Sequence, residues 1–451
     1  MKLGILSLLV LAQALQSSAY PWMAGPGAER AYEAAYEASV HKRAVNKVEE
    51  RSLLGGVLGG VVTSVGSAGS NVISGVTGAL GDLVNGLVTA GATNVDASNR
   101  FPDAAHPFQA PGSTDQRGVC PGLNALANHG YLPRNGIVTI PQVIAATKQV
   151  FNMGEDLSGL LAFFAVLNSG NIATQTFSIG GEDSRTYSAS GIGSKSYSRQ
   201  WGLDAHSRCE GDSSPTREDF YTNNGDAHSL SPSRARRMIK LAQANGGQFD
   251  IPTLNKLFDQ NSQLSIENNP KYYANGFTLV VILAAYPIIP EFFSNGTYGA
   301  GGVSGLSSIA PLMGFDIQND GTICAVPERI PDNWYRRATP WGVANVVANA
   351  PGTLLAGNTL PSPLSTIIAS GNTNEIGCQL YQLAASQSPA TLGLPLVDGL
   401  SSLVSGLQNQ YLGSLPGLFG CSVPGSGSTQ PAFDDSLQPS GPGGQQVLTC
   451  A

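Results

Sequence analysis

Charged side chains are scarce in this sequence. Asp, Glu, Lys and Arg make up 12% of its 451 residues, about half of the roughly 25% found in an average soluble domain. Acidic residues outnumber basic ones by 31 to 24, which gives a net charge of -7. A nucleic-acid-binding surface needs concentrated positive charge. We therefore expect no nucleic-acid partner, and the scattered Lys and Arg residues predict no polybasic membrane patch.

Long hydrophobic runs and closely paired cysteines are also lacking. The strongest internal apolar run, Phe277 to Pro290, contains two prolines and is too short to span a bilayer. The six cysteines are widely spaced, which excludes a zinc site of the CxxC type. No GxSxG motif lies between a strand and a helix, as a hydrolase nucleophile requires. The 42% of apolar residues is nevertheless enough for a substantial core.

The N-terminus has the pattern of an export signal. Residues 1–19 combine one lysine, an apolar run and small residues near the end, which is typical of a secretory signal peptide. The alternative is a buried N-terminal helix. In a secreted chain, an even number of cysteines suggests disulfides. We therefore expect a secreted, extracellular protein that does not span a membrane.

Composition then divides the mature chain into three parts. Residues 20–98 are a possible pro-segment followed by a Gly/Ser-rich low-complexity tract, with basic cleavage sites at His41–Arg43 and at Arg51. Residues 99–423 have the composition of a folded domain. Residues 424–451 are rich in Pro, Gly and Ser, so we expect a flexible tail.

Hydrophobic periodicity within the domain favours helices over strands. A cap and an N1 proline mark helix starts at Thr139–Pro141 and Ser231–Pro232. Further helices are expected over Asp156–Asn168, Ile251–Phe258 and Trp341–Ala350. The best strand candidates are Thr174–Ile179 and Gly321–Val326. The predicted fold class is mostly α, a single helical domain with long loops and little sheet.

Cys120 differs from the other cysteines because a helix is predicted directly after it. Pro121 suits the first helical turn and Gly130 ends the helix. One apolar face lies between them, formed by Leu123, Leu126 and Ala127. The free N–H groups of a helix N-terminus stabilise a thiolate, which is a good axial ligand for haem iron. The residues alone leave two interpretations open, a disulfide and an iron ligand.

The stretch from Arg117 to Arg134 resembles the proximal-ligand motif of the fungal haem-thiolate peroxidases, the family of chloroperoxidases and unspecific peroxygenases. That motif is Pro-Cys-Pro, followed by a Leu-Asn-x-Leu-Ala-Asn-His-Gly run. This chain has Val119 in place of the first proline, from which we expect a less rigid loop. The resemblance implies a long, secreted, helical haem-thiolate peroxidase domain that binds haem b through Cys120.

A second stretch, Arg208 to Arg217, resembles the Glu-Gly-Asp box of the same family. The resemblance implies a Mg²⁺ ion at a haem propionate, bound by the Glu210 carboxylate, the Gly211 carbonyl and the Ser214 hydroxyl. Such oxygen donors suit a hard cation that keeps its waters. The alternative from the residues alone is an acidic turn in which Ser214 caps a helix at Pro215.

Peroxide activation in this family uses a distal glutamate as general acid–base, a contribution of roughly 10²–10⁴-fold. From Tyr272 to Pro290 the matching region has no Asp, Glu, His or Arg. The expected position, near Leu283 to Ala285, is aliphatic. Either Glu291 or a residue from another loop serves as the acid–base group, or the peroxide chemistry is weakened.

Several smaller expectations complete the site. Cys209 stands where the family often has a distal-wall phenylalanine, so its thiol either pairs with another cysteine or faces the pocket. Apolar residues from Leu160 to Val166 and from the helix at Phe277 are expected to line an access channel, although plain core is the alternative. Asn295 begins an Asn-Gly-Thr glycosylation sequon. We expect structural roles for four histidines: His106, His129, His206 and His228.

The resemblance also has implications for the other five cysteines. If Cys120 binds iron, five cysteines are left and at least one is unpaired within the chain. A C-terminal disulfide in the longer family members implies a bridge between Cys378 and Cys421. Cys450 lies in the predicted tail and is the candidate for the unpaired thiol.

The sequence thus predicts a haem-thiolate peroxidase or peroxygenase that uses hydrogen peroxide to oxidise or oxygenate small apolar organic molecules. We expect a monomer. Two alternatives stay open: a haem-binding relative with altered or weakened peroxide chemistry, such as a tailoring step in secondary metabolism, and a non-catalytic, wall-associated Gly/Ser-rich protein.

Overall fold

A computed structural model describes residues 96–187, 202–274, 276–357, 372–385, 400–421 and 448–450. These residues belong to one compact unit, Asn94–Ala451. The predicted signal peptide, the possible pro-segment and nearly all of the low-complexity tract lie outside the described residues. So does most of the predicted tail.

The described chain is mostly helical, as the sequence predicted. Its α-helices are α1 (Pro121–Asn128), α2 (Ile140–Phe151), α3 (Glu155–Ser169), α4 (Pro232–Ala244), α5 (Ile251–Asn268), α6 (Gly276–Phe293), α7 (Leu306–Met313), α8 (Val343–Gly357), α9 (Thr373–Ala385), α10 (Leu400–Leu412) and α11 (Leu415–Phe419). Its strands are β1 (Arg100–Phe101), β2 (Ile137–Thr139), β3 (Thr176–Ser178), β4 (Phe315–Ile317), β5 (Ile323–Ala325) and β6 (Trp334–Tyr335). Two short 3₁₀ helices span Ala97–Asn99 and Ser184–Thr186.

The helix starts predicted from capping residues are confirmed at α2 and α4. Thr139 and Gln142 form a reciprocal capping box at the start of α2. The Ser231 hydroxyl accepts the Arg234 N–H at 3.1 Å at the start of α4. α1 ends before Gly130, whose φ of 76° is a left-handed conformation that favours glycine.

Helix α3 lies at the centre of the core. Nearly every residue from Leu157 to Ser169 is buried, which matches its uniformly apolar sequence. It packs against α2 on one side and α10 on another, while α8 packs against α5 and α6. The mostly helical core is thus built by contacts between consecutive helices together with long-range contacts from the C-terminal part.

The strands form three small antiparallel pairs. β1 pairs with β6, β2 with β3, and β4 with β5. Both predicted strand segments contain a strand, β3 and β5. Val138 faces Phe177 across the second pair, and both side chains are buried. The pairs pin loops in place rather than forming a layer.

Helix α5 is longer than predicted. The sequence indicated a helix over Ile251–Phe258, whereas α5 continues to Asn268. Its second half is polar, but Asn261, Ser262 and Ser265 are buried there. The Asn261 amide donates to the Ser214 carbonyl at 2.9 Å and accepts from Arg237 at 2.6 Å. Hydrogen bonds to other parts of the chain therefore stabilise the second half of α5, where the sequence has few apolar residues.

Two disulfides hold the C-terminal part. Cys378 on α9 is bonded to Cys421, which follows α11. Cys324 on β5 is bonded to Cys450, and the Ala325 N–H donates to the Thr449 carbonyl at 2.8 Å. The expectation that Cys450 is an unpaired thiol in a free tail was wrong. The backbone pairing beside β5 fixes residues 448–450 to the domain, a contact that composition does not reveal.

Within the described part of the chain, none of the helices combines the length and apolar character that a membrane crossing requires. This finding includes α6, whose apolar sequence made it the strongest candidate. Pro287 and Pro290 lie inside α6 without ending it.

Leu126 offers a test of how strongly the core holds α1. Its side chain is 0% exposed, so we expect Leu126→Ala to lower the free energy of unfolding by about 2–5 kcal/mol. The matched control is Leu418→Ala, because Leu418 is 49% exposed. We expect it to change the free energy of unfolding by at most about 0.5 kcal/mol. Denaturant unfolding measures both, and equal losses in the two variants would contradict this packing.

Candidate functional site

Cys120 is the N-cap residue of α1 and lies outside any disulfide. The residue as a whole retains some exposure to solvent. Burial of the thiol raises the pKa of Cys120, while the nearby N–H groups of Leu123 and Gly122 lower it by less. The N–H groups at the helix start thus favour the thiolate, as expected, while burial opposes it. A bound cation such as iron would have to displace the thiol proton.

The loop that presents Cys120 is held by two asparagines on α1. The Asn124 carboxamide accepts the Gly118 N–H at 3.1 Å and donates back to the Gly118 carbonyl at 2.8 Å. One turn later, the Asn128 carboxamide accepts from the Arg117 guanidinium at 2.8 Å. Both asparagines are fully buried. The helix therefore fixes the backbone that precedes its own N-cap.

Position 118 accepts only glycine, because neighbouring atoms lie too close to leave room for a side chain. A Cβ at this position would lie 2.3 Å from Asp204 Oδ1 and 2.5 Å from the Ile179 carbonyl. The same Asp204 oxygen accepts the Val119 N–H at 3.1 Å. Proline, which has no N–H, could not make this bond. The valine was expected to loosen the loop, but its N–H ties the loop to Asp204 instead.

Glu328 was not identified from the sequence and connects the two motifs. Its carboxylate accepts from Asn124 at 3.0 Å and from the Arg217 guanidinium at 2.9 Å. Its backbone carbonyl accepts from Asn128 at 2.8 Å. Glu328 and Arg217 are 1% and 2% exposed. This buried ion pair joins the end of the second motif to the helix that carries Cys120.

The second motif lies in a tight, buried loop. The Ala205 carbonyl accepts the N–H groups of Arg208, Cys209 and Glu210. The turn places His206 Nδ1 2.6 Å from Glu210 Oε2. The imidazole also stacks on Phe220, with ring centroids 4.6 Å apart. Both partners of this pair are buried.

Asp212 brings a second carboxylate into the same loop. Its Oδ2 accepts the Tyr273 N–H at 2.7 Å and the Asn269 amide at 2.9 Å. Its Oδ1 is buried and has no hydrogen-bond partner among the residues that the structure describes. Ligand atoms of His206, Glu210 and Asp212 all lie within 4.8 Å of one another.

The electrostatics of this cluster favour a cation. Burial raises the pKa of Asp212 to about 8, and the charges of Asp219 and Glu210 add to this effect. Burial lowers the pKa of His206, but the nearby carboxylates, Glu210 first, raise it more, so the net shift is upward. Neighbouring carboxylates contribute to both upward shifts. The residues therefore fit a bound divalent ion.

The other two predicted ligands have these positions. Gly211 lies against α6, where a Cβ would be 3.0 Å from Thr278 Cβ and 3.1 Å from Ile282 Cδ1. The Ser214 hydroxyl accepts the Arg217 N–H at 3.3 Å. No α-helix begins at Pro215 in the described chain. The helix-cap interpretation of Ser214 was therefore wrong, and the hydroxyl closes a turn.

Glu291, the candidate distal acid–base group, is paired with an arginine. It is buried at the end of α6 and forms an ion pair with Arg337. Arg337 also donates to the Glu291 carbonyl at 3.1 Å. The ion pair fixes the Glu291 carboxylate beside Arg337, and the acid–base role of Glu291 stays a prediction.

Cys209 is likewise committed. Its sulfur lies 3.1 Å from the Ser169 hydroxyl, and burial raises the pKa of its thiol to about 12. It forms no disulfide. The alternative that Cys209 pairs with another cysteine is therefore wrong.

His129 has the structural role that the sequence predicted. Its Nδ1 lies 2.9 Å from the His106 carbonyl, and its Nε2 accepts the Ile330 N–H at 3.1 Å. Burial lowers its pKa. The ring is therefore neutral, with the proton on Nδ1, and it ties α1 to the segment after Glu328.

The glycosylation sequon lies after α6. The Asn295 side chain accepts the Tyr335 N–H at 2.9 Å, and Thr297 Oγ1 accepts the Ala338 N–H at 2.8 Å. Glycosylation of Asn295 stays a prediction.

Comparison with known proteins identifies similar chains. The sequence model described as "Peroxidase, family 2" matches residues 106–339. The dothistromin biosynthesis peroxidase of Dothistroma septosporum is 35% identical over 249 residues, which is 54% of this chain and 58% of the relative. An aromatic peroxidase of Fusarium equiseti is 34% identical over 273 residues, 58% of this chain and 60% of the relative.

A third relative, the aromatic peroxygenase of Coprinellus radians, is 35% identical over 209 residues, which is 45% of this chain and 76% of the relative. The aligned part of the chain spans about three fifths of the length of the first two relatives. The matched region contains both motifs and Glu328 but ends before α8.

The Arg217–Glu328 ion pair should contribute strongly to stability. Glu328→Ala leaves a buried guanidinium without its partner, so we expect the free energy of unfolding to fall by about 3–5 kcal/mol. Lys148 and Glu155 form an exposed ion pair, so Glu155→Ala is the matched control, with an expected loss of at most about 1 kcal/mol. Urea unfolding separates the two cases. A loss below about 1 kcal/mol for Glu328→Ala would contradict the role given to the pair.

Proposed function

Because the chain belongs to peroxidase family 2, we propose that it is a secreted haem-thiolate peroxidase or peroxygenase. It would use hydrogen peroxide to oxidise or oxygenate small apolar organic molecules. The observation that carries this proposal is the placement of Cys120. It is a cysteine outside any disulfide, it caps a helix inside the family match, and buried side chains support its loop.

In this proposal Cys120 binds the iron of haem b. A haem with a thiolate ligand supplies the redox centre at which peroxide is reduced and the organic substrate oxidised. The chain supplies the Gly122 and Leu123 N–H groups near the sulfur. Hydrogen bonds to a ligating sulfur tune its donation to the metal. Asn124 and Glu328 hold the loop in place.

Glu210 would bind a cation next to the haem. The resemblance to the family adds Gly211 and Ser214 as ligands and gives Mg²⁺ as the ion. The excess of buried negative charge around Glu210 supports a cation here. Its charge would also help to hold an anionic haem propionate near a loop that is otherwise acidic.

The stretch that matches the family's distal helix has little acid–base capacity. From Tyr272 to Pro290 the chain has no Asp, Glu, His or Arg, and Glu291 is paired with Arg337. A missing general acid–base group costs roughly 10²–10⁴-fold in rate. The aliphatic character of α6 instead supports an apolar substrate.

A more specialised role is the second candidate. The Dothistroma septosporum relative is named for dothistromin biosynthesis, which supports a tailoring step in secondary metabolism for this chain. Weak general peroxide chemistry suits an enzyme with one dedicated substrate. The non-catalytic wall protein is the least supported alternative, because the family match covers the candidate site.

Secretion and a monomeric state are also part of the proposal. Two disulfides, Cys324–Cys450 and Cys378–Cys421, support an oxidising compartment. The signal-like residues 1–19 support export.

The ligand assignment is tested by the absorption spectrum of the haem-loaded protein, reduced under carbon monoxide. We expect the red-shifted Soret band of a thiolate complex in the wild type and its loss in Cys120→His, because imidazole donates less charge to iron. Cys209→Ser removes the other thiol that lies outside the disulfides and should keep the band. A wild type without the band, or a Cys120→His variant that retains it, would sink the assignment.

The role of Glu291 is tested separately by peroxide turnover per haem. We expect Glu291→Gln to lower turnover by far less than the roughly 10²–10⁴-fold cost of losing a general acid–base group. The variant should nevertheless unfold at lower urea concentration, because Arg337 loses its ionic partner. Glu267→Gln, on the exposed face of α5, is the control. A turnover loss of about 10²-fold or more would show that Glu291 acts in catalysis.

A further inference from the structure

Asp204 lies shortly before the acidic motif and contacts the loop that carries Cys120. We propose that Asp204 is a positioning residue for the haem ligand, because its carboxylate holds the stretch of backbone that the family motif stiffens with a proline. The inference rests on the proposed function. It adds a residue that lies outside both motifs, and it gives the Val119 N–H a part in holding the ligand loop.

The contact between Asp204 and this loop is close and directional. Asp204 Oδ1 accepts the Val119 N–H at 3.1 Å, one residue before the proposed sulfur ligand. A Cβ on Gly118 would lie 2.3 Å from the same oxygen, so the carboxylate lies directly against the loop backbone. The hydrogen bond therefore restrains the chain immediately before Cys120.

Asp204 is itself held by the chain around the end of β3. The Leu203 N–H donates to the Ser178 carbonyl at 3.0 Å, and the Asp204 N–H donates to the Gly180 carbonyl at 3.2 Å. Asp204 is only 4% exposed. A buried side chain on a backbone fixed in this way has little freedom to move, so it can fix the position of the loop that it contacts.

The second carboxylate oxygen faces a histidine. Asp204 Oδ2 has no hydrogen-bond partner among the described residues, but it lies 3.5 Å from His228 Nδ1. Burial raises the pKa of Asp204 to about 6, while the charge of His228 and the Val119 N–H each lower it by less. The carboxyl is therefore ionised at neutral pH, and an ionised acceptor makes a stronger hydrogen bond to the loop than a neutral one.

The bond between Val119 and Asp204 can be removed from either side. Asp204→Ala removes the acceptor, and Val119→Pro removes the donor because proline has no N–H. Two conservative variants keep the bond: Asp204→Asn retains an acceptor oxygen, and Val119→Ala retains the N–H. A positioning role of the bond predicts that the first two variants behave alike and that the last two resemble the wild type.

The test compares these variants as haem-loaded proteins, reduced under carbon monoxide. The ratio of the thiolate Soret band to the band at shorter wavelength measures how much Cys120 stays bound as the thiolate. We expect Asp204→Ala and Val119→Pro to lower this ratio by about tenfold or more, the equivalent of one hydrogen bond to a charged group. Asp204→Asn should recover most of the loss, and Val119→Ala should stay within about twofold of the wild type.

A double variant separates positioning from two unrelated structural effects. Because both changes break the same bond, Asp204→Ala combined with Val119→Pro should lose no more than the larger single loss, whereas independent effects would multiply. Asp226→Ala is the matched control, because it removes a second carboxylate beside His228, and it should keep the wild-type ratio. If Asp204→Ala does not fold, the two Val119 variants test the same bond.

The outcomes separate this inference from the proposed function. A wild-type ratio in Asp204→Ala or in Val119→Pro, or losses that multiply in the double variant, would overturn the positioning role while Cys120 remains the haem ligand. A wild type that lacks the thiolate band rejects the proposed function itself.

Discussion

The buried ion pair between Arg217 and Glu328 is the interaction on which the rest of the candidate site depends. Arg217 ends the acidic motif, and Glu328 lies far along the chain in a loop. Through Asn124 the same carboxylate reaches the helix that begins at Cys120. Burial of two charged groups destabilises the folded protein unless each group keeps its ionic and hydrogen-bonding partners. The Arg217–Glu328 ion pair therefore couples the position of Cys120 to the position of the acidic loop.

The acidic loop is in turn held by the helices around it. Gly211 packs against α6, and the Tyr286 hydroxyl of that helix donates to the Ser213 carbonyl at 2.6 Å. Asn261 of α5 donates to the Ser214 carbonyl. A loop fixed from two helices keeps its carboxylates close together despite their repulsion, and the resulting charge excess is what a cation would relieve.

Helix α6 also places mostly uncharged side chains against the acidic loop. The face of α6 that meets the loop carries Thr278, Ile282 and Tyr286, all buried. No carboxylate from its interior is available, and Glu291 at its end neutralises Arg337. Under the proposed function, the aliphatic interior of α6 supports the binding of apolar molecules more than rapid general peroxide chemistry.

Sequence alone determined the features that depend on neighbouring residues. The caps at Thr139 and Ser231, the helix stop at Gly130 and the helix start after Cys120 are set by contacts within a few residues, and all could be predicted. So could the mostly helical fold class, because the apolar periodicity of α2 and α3 is local. The polar second half of α5 could not, since Asn261 is held by Ser214 and Arg237 from other parts of the chain.

Only the tertiary structure decided which charged groups meet. Glu328, a lone glutamate in a Pro-rich stretch, carries no local signal, and Glu291 gives no hint of Arg337. The sequence around His206 predicts an ordinary loop histidine. Only the turn at Ala205 places it against Glu210. The Cys324–Cys450 bridge depended on backbone pairing beside β5. The Arg217–Glu328 and Glu291–Arg337 ion pairs and the Cys324–Cys450 disulfide join residues that are distant in sequence. Their partners are therefore fixed by the packing of the helices and not by the pattern around each residue.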